Sequence, residues 1–281
     1  MRLNHDYLEG GNQNMGTIRL GFLGNGNMGY AILKGLIDQG QLQPDAAAVY
    51  DPSPAARERA KAMGCQLFED ETALVKNSDT VLVAVKPQYA KALLEKIGKE
   101  TAGKLILSIV AGYDAAYIRS CLGCEEARIL RIMPNTPAMV GAGVFGMDKG
   151  TDALPAEKEL VETWFSSLGV TEWIDEHLFA AITGLSGSGP AYVAIMIEAM
   201  ADAGVRFGLF RDAAVKLAAQ TVLGTAKQVL ETGIHPALLK DAVCSPAGTT
   251  IEGVHALEEA GFRSAVMKAI EAGTNKASSL K

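Results

Sequence analysis

A glycine-rich turn near the start of the chain places the strongest limit on its fold. Gly24-Asn-Gly26-Asn-Met-Gly29 directly follows an apolar segment that predicts a strand from Thr17 to Leu23, and helical spacing of apolar residues comes next. In this setting the first glycine permits a tight turn, the second admits a pyrophosphate to the backbone, and the third lets helix and strand pack closely. The turn therefore predicts a dinucleotide-binding unit, with its phosphate at the N–H groups that open the helix. A strand–helix turn without a ligand is the weaker alternative.

Apolar runs of strand length alternate with helical segments from this turn to about Asp175. The uninterrupted run Thr80–Val85 is typical of a parallel strand covered on both faces. Such alternation predicts an α/β Rossmann domain with a doubly wound, mostly parallel sheet. Beyond Asp175 the sequence shows no convincing strand and predicts an all-α domain. Its predicted helices are Leu178–Leu185, Pro190–Phe207, Asp212–Thr232, Pro236–Val243, Thr249–Ala260 and Phe262–Leu280.

The loss of the strand pattern after Asp175 divides the chain into three predicted segments. Residues 1–16 are expected to be a disordered extension or tag, residues 17–175 the dinucleotide-binding domain, and residues 176–281 a helical domain for dimerisation and substrate binding. Long helices rich in alanine, methionine and valine usually bury their faces against another helix layer. We therefore expect a homo-oligomer, a dimer or larger, assembled through the C-terminal helices.

Charge and composition exclude several classes of partner. The formal net charge of −6 argues against a nucleic-acid surface or an anionic membrane surface. No apolar run reaches the roughly 18 residues of a membrane span, and the N-terminus lacks the apolar segment of a secretory signal. The sequence predicts a cytoplasmic protein whose partner is a small molecule.

The cysteines suggest no metal centre. Cys121-Leu-Gly-Cys124 has the spacing of a metal or redox pair. A structural zinc needs four nitrogen or sulfur ligands, and neither a second pair nor a nearby histidine supplies them. We interpret the pair as reduced thiols in a turn, and we expect no metal.

Asp51 ends the second predicted strand, where the adenosine ribose is normally recognised. A carboxylate there accepts hydrogen bonds from the ribose hydroxyls and repels a 2′-phosphate, which favours NADH. Ser53 and Arg57 lie just beyond and could serve a 2′-phosphate instead. Asp51 could also be a turn residue before proline. The expected cofactor is therefore NADPH or NADH.

Two further segments close predicted strands. Val85–Gln88 ends the fourth strand and Met133–Pro137 ends the sixth. Ligands of α/β folds bind at such carboxyl ends. The paired prolines around Asn135 fix a rigid loop, which suits a group held near a nicotinamide ring, although a stiff connector explains it equally well.

The helical half contains two glycine- and hydroxyl-rich interruptions. Ser186–Tyr192 breaks a helical run with glycine and restarts it with Pro190 in the first turn. Cys244–Glu252 gathers hydroxyls and free backbone amides at a helix start, an arrangement that binds a carboxylate well. Capping of the helix by Ser245, Thr249 or Thr250 would explain the same pattern without a ligand.

Nearly the whole chain, from Ile18 to about Lys276, resembles the pyrroline-5-carboxylate reductase family. The matching strings are GFLGNGNMG, AVKPQ, RIMPNTPAMV, SGSGPAYV and, most specifically, DAVCSPAGTTIEGVHALEEAGFR. The resemblance implies a Rossmann domain followed by a helical dimerisation domain, and reduction of 1-pyrroline-5-carboxylate to L-proline.

The resemblance also implies roles for individual residues. Thr250 is the candidate catalytic residue, through positioning first and proton delivery second. The candidate substrate contacts are Ser245, Thr249 and Thr250. The candidate cofactor contacts are Gly24, Gly26, Asn27, Met28, Gly29, Asp51, Val85, Lys86, Pro87 and Asn135. Two residues depart from the family pattern: Ala247 stands where glycine is usual, and Asp51 stands where serine or threonine suits NADPH.

Two rival functions share part of this pattern. A β-hydroxyacid dehydrogenase would have the same cofactor domain, but its chemistry resembles a scheme with a lysine base on the long helix after that domain. No lysine lies between His177 and Arg206. A non-catalytic dinucleotide sensor would not need the carboxylate-binding segment Cys244–Glu252.

Overall fold

The structure is a computed structural model that describes residues 18–279. The predicted extension at residues 1–16 lies outside the described residues. The chain divides into two compact units. The first, here called the sheet unit, runs to Ile182 and includes the C-terminal residues from Ala277, and the second, the helical unit, is Thr183–Lys276. The predicted domain boundary after residue 175 stays a prediction.

Strands and helices alternate along the sheet unit, as the apolar runs predict. The strands are β1 Ile18–Leu23, β2 Ala47–Tyr50, β3 Gln66–Leu67, β4 Ser78–Val83, β5 Leu105–Ser108, β6 Arg128–Pro134, β7 Gly143–Asp148 and β8 Gly169–Ile174. The helices are α1 Asn27–Asp38, α2 Pro54–Ala62, α3 Glu71–Asn77, α4 Pro87–Ile97, α5 Ala115–Leu122, α6 Pro155–Ser166 and α7 Phe179–Ile182.

These strands form one eight-stranded sheet in the order β3-β2-β1-β4-β5-β6-β7-β8. Every neighbouring pair is parallel except β6 and β7, which run antiparallel with Ile132 opposite Met147. The chain winds outward from β1 in both directions, which confirms the predicted doubly wound, mostly parallel sheet.

Both faces of the sheet are buried under helices. On one face, α1 and α6 pack against the sheet around Phe22, Phe145, Trp164 and Phe165, all of which are excluded from solvent. The rings of Phe145 and Phe165 meet edge to face, with centroids 5.0 Å apart. On the other face, α3, α4 and α5 contribute a second apolar layer. Burial on both faces explains the apolar runs Leu20–Leu23, Val81–Val83 and Leu105–Leu107 within β1, β4 and β5.

The helical unit has a much smaller apolar core than the sheet unit. Its remaining helices are α8 Gly189–Arg206, α9 Arg211–Thr232, α10 Pro236–Val243, α11 Thr249–Glu259 and α12 Phe262–Ser278. Its buried hydrophobic residues are Ala201, Ala214, Ala218 and Leu239. Phe207 and Phe210, by contrast, are 86% and 87% exposed. A unit with so small a core needs further apolar cover for its stability.

One helical segment, Glu176–Arg206, is long and apolar enough to cross a membrane by length and composition, and 11% of its most apolar window is buried. This test alone is weak, because helices that pack against other protein segments also satisfy it. The segment is interrupted by a π-helical turn at Thr183–Gly187.

An ion pair between a buried arginine and a partly exposed glutamate joins β6 to the segment that follows β8. Arg131 is 6% exposed, and its Nη1 donates a hydrogen bond of 2.6 Å to Oε1 of Glu176. The guanidinium carbon also lies 4.3 Å from the ring centroid of Phe179. The same Glu176 oxygen accepts the N–H of Ala115 at 2.8 Å. A single carboxylate therefore neutralises a buried cation and satisfies the first amide of α5.

We predict that Glu176→Ala lowers the free energy of unfolding by about 2–3 kcal/mol, because it removes the carboxylate that is hydrogen-bonded to the buried Arg131. Urea denaturation would measure the change. Glu172→Ala, which removes an exposed carboxylate from β8, should cost less than about 0.5 kcal/mol. Equal losses in the two variants would show that the ion pair has no special role.

Candidate active site

The glycine turn lies where the ends of three neighbouring strands meet. The N–H of Gly24 donates to the Tyr50 carbonyl at the end of β2, at 2.8 Å. On the other side, the N–H of Ala84 donates to the Leu23 carbonyl, also at 2.8 Å. The chain leaves β1 in opposite directions toward β2 and β4, so the turn occupies the switch point at which α/β folds bind ligands.

The three glycines meet different surroundings, as the sequence predicts. Gly24 has a φ of +98°, and a Cβ there would lie 2.6 Å from the Ala84 carbonyl oxygen. A Cβ on Gly29 would lie 2.5 Å from the Gly24 carbonyl oxygen, so α1 could not pack this closely. A Cβ on Gly26 would meet nothing within 4 Å. The space in front of Gly26 is therefore open to a ligand.

The first amides of α1 fit an anion at this open side. Gly26 is the N-cap of α1, so no side chain caps the helix, and Gly26 and Asn27 are exposed. The uncapped N–H groups of Asn27 and Met28 carry the positive end of the helix dipole. The turn and the helix start together fit a dinucleotide pyrophosphate.

Asp51 is held by backbone amides. Its Oδ2 accepts the N–H of Asn25 at 2.7 Å, and its Oδ1 accepts the N–H of Ser53 at 2.8 Å. The second contact is the Asx turn that the alternative interpretation expects. Each oxygen keeps a lone pair that can accept from a ribose hydroxyl. Asp51 therefore stiffens the turn and still fixes a negative charge at the tip of β2.

Two arginines of α2 already bind other groups of the chain. Arg57, which the sequence suggests for a 2′-phosphate, forms an ion pair with Glu69. Arg59, which no sequence motif marks, donates to the Asn25 carbonyl at 2.8 Å and lies 4.7 Å from the ring centroid of Tyr30. Arg59 lies in the second turn of α2, just beyond Asp51. That position in the sequence could have predicted a contact with the glycine turn.

Asn25 itself is fully buried in the turn. Its side-chain Nδ2 donates to the Ala56 carbonyl at 2.8 Å, which anchors α2 to the turn. Its Oδ1 has no hydrogen-bond partner within residues 18–279. Buried oxygens are rarely left unpaired.

The other candidate cofactor residues lie at the ends of β4 and β6. Val85 precedes α4, Lys86 is the exposed N-cap of that helix, and Pro87 is its first residue. Asn135 follows β6 and is buried, and its Oδ1 accepts the Val144 N–H at 2.8 Å. The Asn135 side chain therefore holds β6 and β7 together, a structural role that the sequence does not reveal.

The candidate substrate residues lie in the helical unit, between α10 and α11. The Gly248 N–H donates to the Ser245 carbonyl at 3.0 Å and closes a tight turn through Pro246 and Ala247. Among the described non-glycine residues, Ala247 alone has positive φ, at 53°. Proline followed by a residue with positive φ is the pattern of a type II turn, which favours glycine at that second position. The departure from the family pattern therefore introduces backbone strain.

The start of α11 carries no side-chain cap among the described residues. Its N-cap is Gly248, and a Cβ there would collide with the Ser245 hydroxyl. Ser245 and Thr249 are exposed and Thr250 is partly exposed. Capping by any of these three hydroxyls is therefore not what orders the segment. The start of α11 therefore leaves its first amides without a side-chain cap, beside the hydroxyl-bearing residues Ser245, Thr249 and Thr250.

The other interruption, Ser186–Tyr192, follows a π-helical turn. The Ser188 N–H donates to the Thr183 carbonyl at 2.8 Å, and α8 then begins with Pro190 in its first turn. Close packing explains the glycine at 184, where a Cβ would lie 2.8 Å from the Ile270 carbonyl oxygen. The Tyr192 hydroxyl donates to the Ala269 carbonyl at 3.2 Å. This segment therefore joins α8 to α12.

Comparison with known protein families distinguishes the sheet unit from the helical unit in a similar way. Residues 176–280 match a family model described as pyrroline-5-carboxylate reductase dimerisation. Residues 19–112 match a model described as NADP oxidoreductase, coenzyme F420-dependent. The first match covers the helices beyond the sheet, and the second covers the glycine turn and the strand ends around it.

Full-length relatives decide the family. A pyrroline-5-carboxylate reductase of Escherichia coli K12 is 44% identical over 257 residues, which cover 90% of this chain and 94% of the relative. One from Methanosarcina acetivorans is 43% identical over 256 residues, with the same coverage. The chain belongs to the pyrroline-5-carboxylate reductase family. This confirms the resemblance found in its sequence motifs.

Solved structures of the family have the same fold. A Coxiella burnetii pyrroline-5-carboxylate reductase superposes with a TM-score of 0.87 at 34% identity and covers 94% of this chain and 99% of its own. A Plasmodium falciparum pyrroline carboxylate reductase with NADP bound has a TM-score of 0.85 at 32% identity, covering 95% and 99%. The predictions of a Rossmann domain with an all-α domain, and of a nicotinamide-dependent oxidoreductase, are confirmed.

Family membership also settles two other expectations. The match at residues 176–280 confirms a homo-oligomer formed through the C-terminal helices. A second copy of the chain is accordingly the expected cover for the apolar segment Glu176–Arg206. Imine reduction is favoured over the β-hydroxyacid dehydrogenase and the sensor, because the relatives match over nearly the entire chain.

His235 and two of the cysteines have structural surroundings. His235 caps α10, with its Nδ1 accepting the Ala237 N–H at 3.2 Å. Cys121 lies in the last turn of α5, which Gly123 ends in a left-handed conformation. Within the described residues no three His, Cys, Asp or Glu side chains form a metal-binding group. Burial raises the pKa of the Cys65 thiol to about 11 and keeps it protonated.

We predict that Ala247→Gly raises the free energy of unfolding by about 0.5–1 kcal/mol, because glycine adopts positive φ without strain. Thermal unfolding at fixed protein concentration would measure it. The same substitution at Ala256, inside α11, should have the opposite sign and cost about 1 kcal/mol. Destabilisation by both substitutions would rule out strain at Ala247.

Proposed function

We propose that this chain reduces the C=N bond of 1-pyrroline-5-carboxylate to give L-proline, with NADH or NADPH as the hydride donor. The uncapped start of α11 carries the proposal, because it offers donors for one carboxylate beside the turn Ser245–Gly248. The substrate is a small cyclic imino acid with one such carboxylate, so the donor set and the substrate charge agree.

The first amides of α11 and the adjacent hydroxyls would bind that carboxylate. The N–H groups of Thr249, Thr250 and Ile251 open the helix, where the dipole stabilises an anion by about 0.3–1 kcal/mol, and by more when solvent is excluded. The Ser245 hydroxyl lies over Gly248 and supplies another donor. Fixed donors of this kind orient the substrate as well as hold it.

The reaction requires little acid catalysis from the protein. A protonated cyclic imine is already an electrophile, and the proton stays on the ring nitrogen throughout. The Thr250 hydroxyl can accept a hydrogen bond from that N–H or donate one to the carboxylate, and in either role it fixes the ring. A threonine hydroxyl is too weak an acid to donate its proton outright, so Thr250 acts through position.

Residues of the sheet unit would hold the cofactor. Gly24–Gly29 and the start of α1 accommodate the pyrophosphate, and Asp51 fixes the ribose end. The nicotinamide half is assigned to Val85–Pro87 and Asn135 by the family motifs. When bound, the reduced nicotinamide supplies the hydride.

The cytoplasm is the proposed site of action. All of the cysteines, Cys65, Cys121, Cys124 and Cys244, are free thiols. Unpaired cysteines are usual in proteins of the reducing cytosol.

We predict that Thr250→Ala lowers kcat/KM for the imino acid by about tenfold to a hundredfold, the usual cost of a lost hydrogen bond to a charged group. The affinity for NAD+ or NADP+, measured by titration calorimetry, should stay the same. Steady-state kinetics with varied pyrroline-5-carboxylate give the first quantity.

Thr250→Ser is the matched control, because it keeps the hydroxyl and should recover most of the lost kcat/KM. Unchanged kinetics in Thr250→Ala would remove Thr250 from the site. Cofactor oxidation that does not depend on the imine in the wild-type enzyme would contradict the proposed reaction itself.

A further inference from the structure

A tyrosine outside the family motifs joins the loops that follow β4 and β5. Tyr113 lies in residues 109–114, between β5 and α5, and none of the matching strings contains it. Its hydroxyl donates a hydrogen bond of 3.0 Å to the carbonyl of Pro87, the first residue of α4. A side chain of one strand-end loop therefore holds the backbone of the next.

This hydrogen bond fixes the far end of residues 84–87, the segment between β4 and α4. At the near end, the Ala84 N–H donates to the Leu23 carbonyl at 2.8 Å, and a Cβ on Gly24 would lie 2.6 Å from the Ala84 carbonyl oxygen. Pro87 has no N–H to donate, but its carbonyl accepts the Tyr113 hydroxyl. The half-buried Val85 and the exposed residue 86 therefore lie between two anchored ends.

The Tyr113 ring is itself held at the start of α5. It packs edge to face against Tyr117, with ring centroids 4.9 Å apart and planes at 61°. Asp114 caps α5 by accepting the Tyr117 N–H at 2.7 Å, and Glu176 accepts the Ala115 N–H at 2.8 Å. The hydroxyl therefore projects from the anchored start of a helix.

The order of the strands places this contact toward the nicotinamide side of the proposed site. Strands β1, β4, β5 and β6 are consecutive in the sheet. The residues that the family motifs assign to the nicotinamide half follow β4 and β6, and Tyr113 follows β5, which lies between them. A dinucleotide that crosses the strand ends from the glycine turn would meet the segment that Tyr113 holds.

We propose that Tyr113 is a positioning residue for the nicotinamide half of the cofactor, and that it acts through the Pro87 carbonyl on residues 85–87. Hydride transfer needs the two reacting atoms about 3–3.5 Å apart. A segment anchored at both ends limits the motion of the ring that lies against it. The inference rests on the proposed function in taking this segment to face the nicotinamide.

Tyr113→Phe tests the inference by binding alone, because it removes the hydroxyl and keeps the ring pair. Titration calorimetry on the full chain would compare NAD+ with ADP-ribose, and NADP+ with 2′-phospho-ADP-ribose. We expect the variant to bind the dinucleotides about twofold to tenfold more weakly, the usual range for one neutral hydrogen bond. Binding of the nicotinamide-free ligands should be unchanged. Equal weakening for both kinds of ligand, or for neither, would overturn the inference.

Tyr117→Phe is the matched control. It removes a hydroxyl from the other ring of the pair, where that hydroxyl interacts with Cys121. We expect unchanged affinities for all four ligands. A selective loss of dinucleotide affinity as large as that in Tyr113→Phe would overturn the role of the hydrogen bond to Pro87.

Steady-state kinetics give a second measure of the same effect. In Tyr113→Phe we expect kcat to fall while the KM for the imino acid stays the same, because the nicotinamide is displaced and the carboxylate site is not. A raised KM with unchanged kcat would contradict the inference.

The imine assay on the wild-type enzyme separates this inference from the proposed function. Selective loss of dinucleotide affinity in Tyr113→Phe, with no reduction of pyrroline-5-carboxylate by the wild type, would contradict the proposed function and support the inference. Reduction of the imine by the wild type, with unchanged affinities and kcat in Tyr113→Phe, would do the reverse.

Discussion

Gly24 leads from β1 into the turn before α1 with a φ of +98°, and its carbonyl oxygen would lie 2.5 Å from a Cβ on Gly29. Only glycine at both positions lets α1 begin directly after β1 and pack against it. That close start turns the first amides of α1 toward the strand ends and leaves the space in front of Gly26 open. The phosphate site and the position of the Asp51 carboxylate both depend on this one backbone geometry.

Local sequence predicts most of the fold because the buried strands are continuous apolar runs and the helices have apolar periodicity. Helix α10 begins and ends at the predicted residues, and the other predicted elements differ by a few residues at their ends. The antiparallel pairing of β6 with β7 could not be predicted, because side-chain alternation carries no strand direction. The π-helical turn at Thr183–Gly187 was also missed, since one extra residue per turn leaves no local signature.

The site was predictable where chemistry is local and unpredictable where it depends on distant contacts. The glycine turn, Asp51 and the segment Ser245–Thr250 each have a recognisable pattern within a few residues. The hydrogen bond from the Asn25 side chain to the Ala56 carbonyl joins the turn to α2, and no spacing rule predicts it. The family motif shows that Ala247 replaces a glycine, but the motif does not give the backbone conformation at that position. The structure shows a φ of 53° there.

The residues assigned to cofactor and to substrate lie on units with different sources of stability. The sheet unit has its own apolar core on both faces of the sheet. The helical unit buries few apolar side chains within one chain and leaves Phe207 and Phe210 exposed. Each Å² of apolar surface removed from water contributes about 25 cal/mol, so a second copy supplies stability that this unit lacks alone. The stability of the helical unit is thereby linked to assembly.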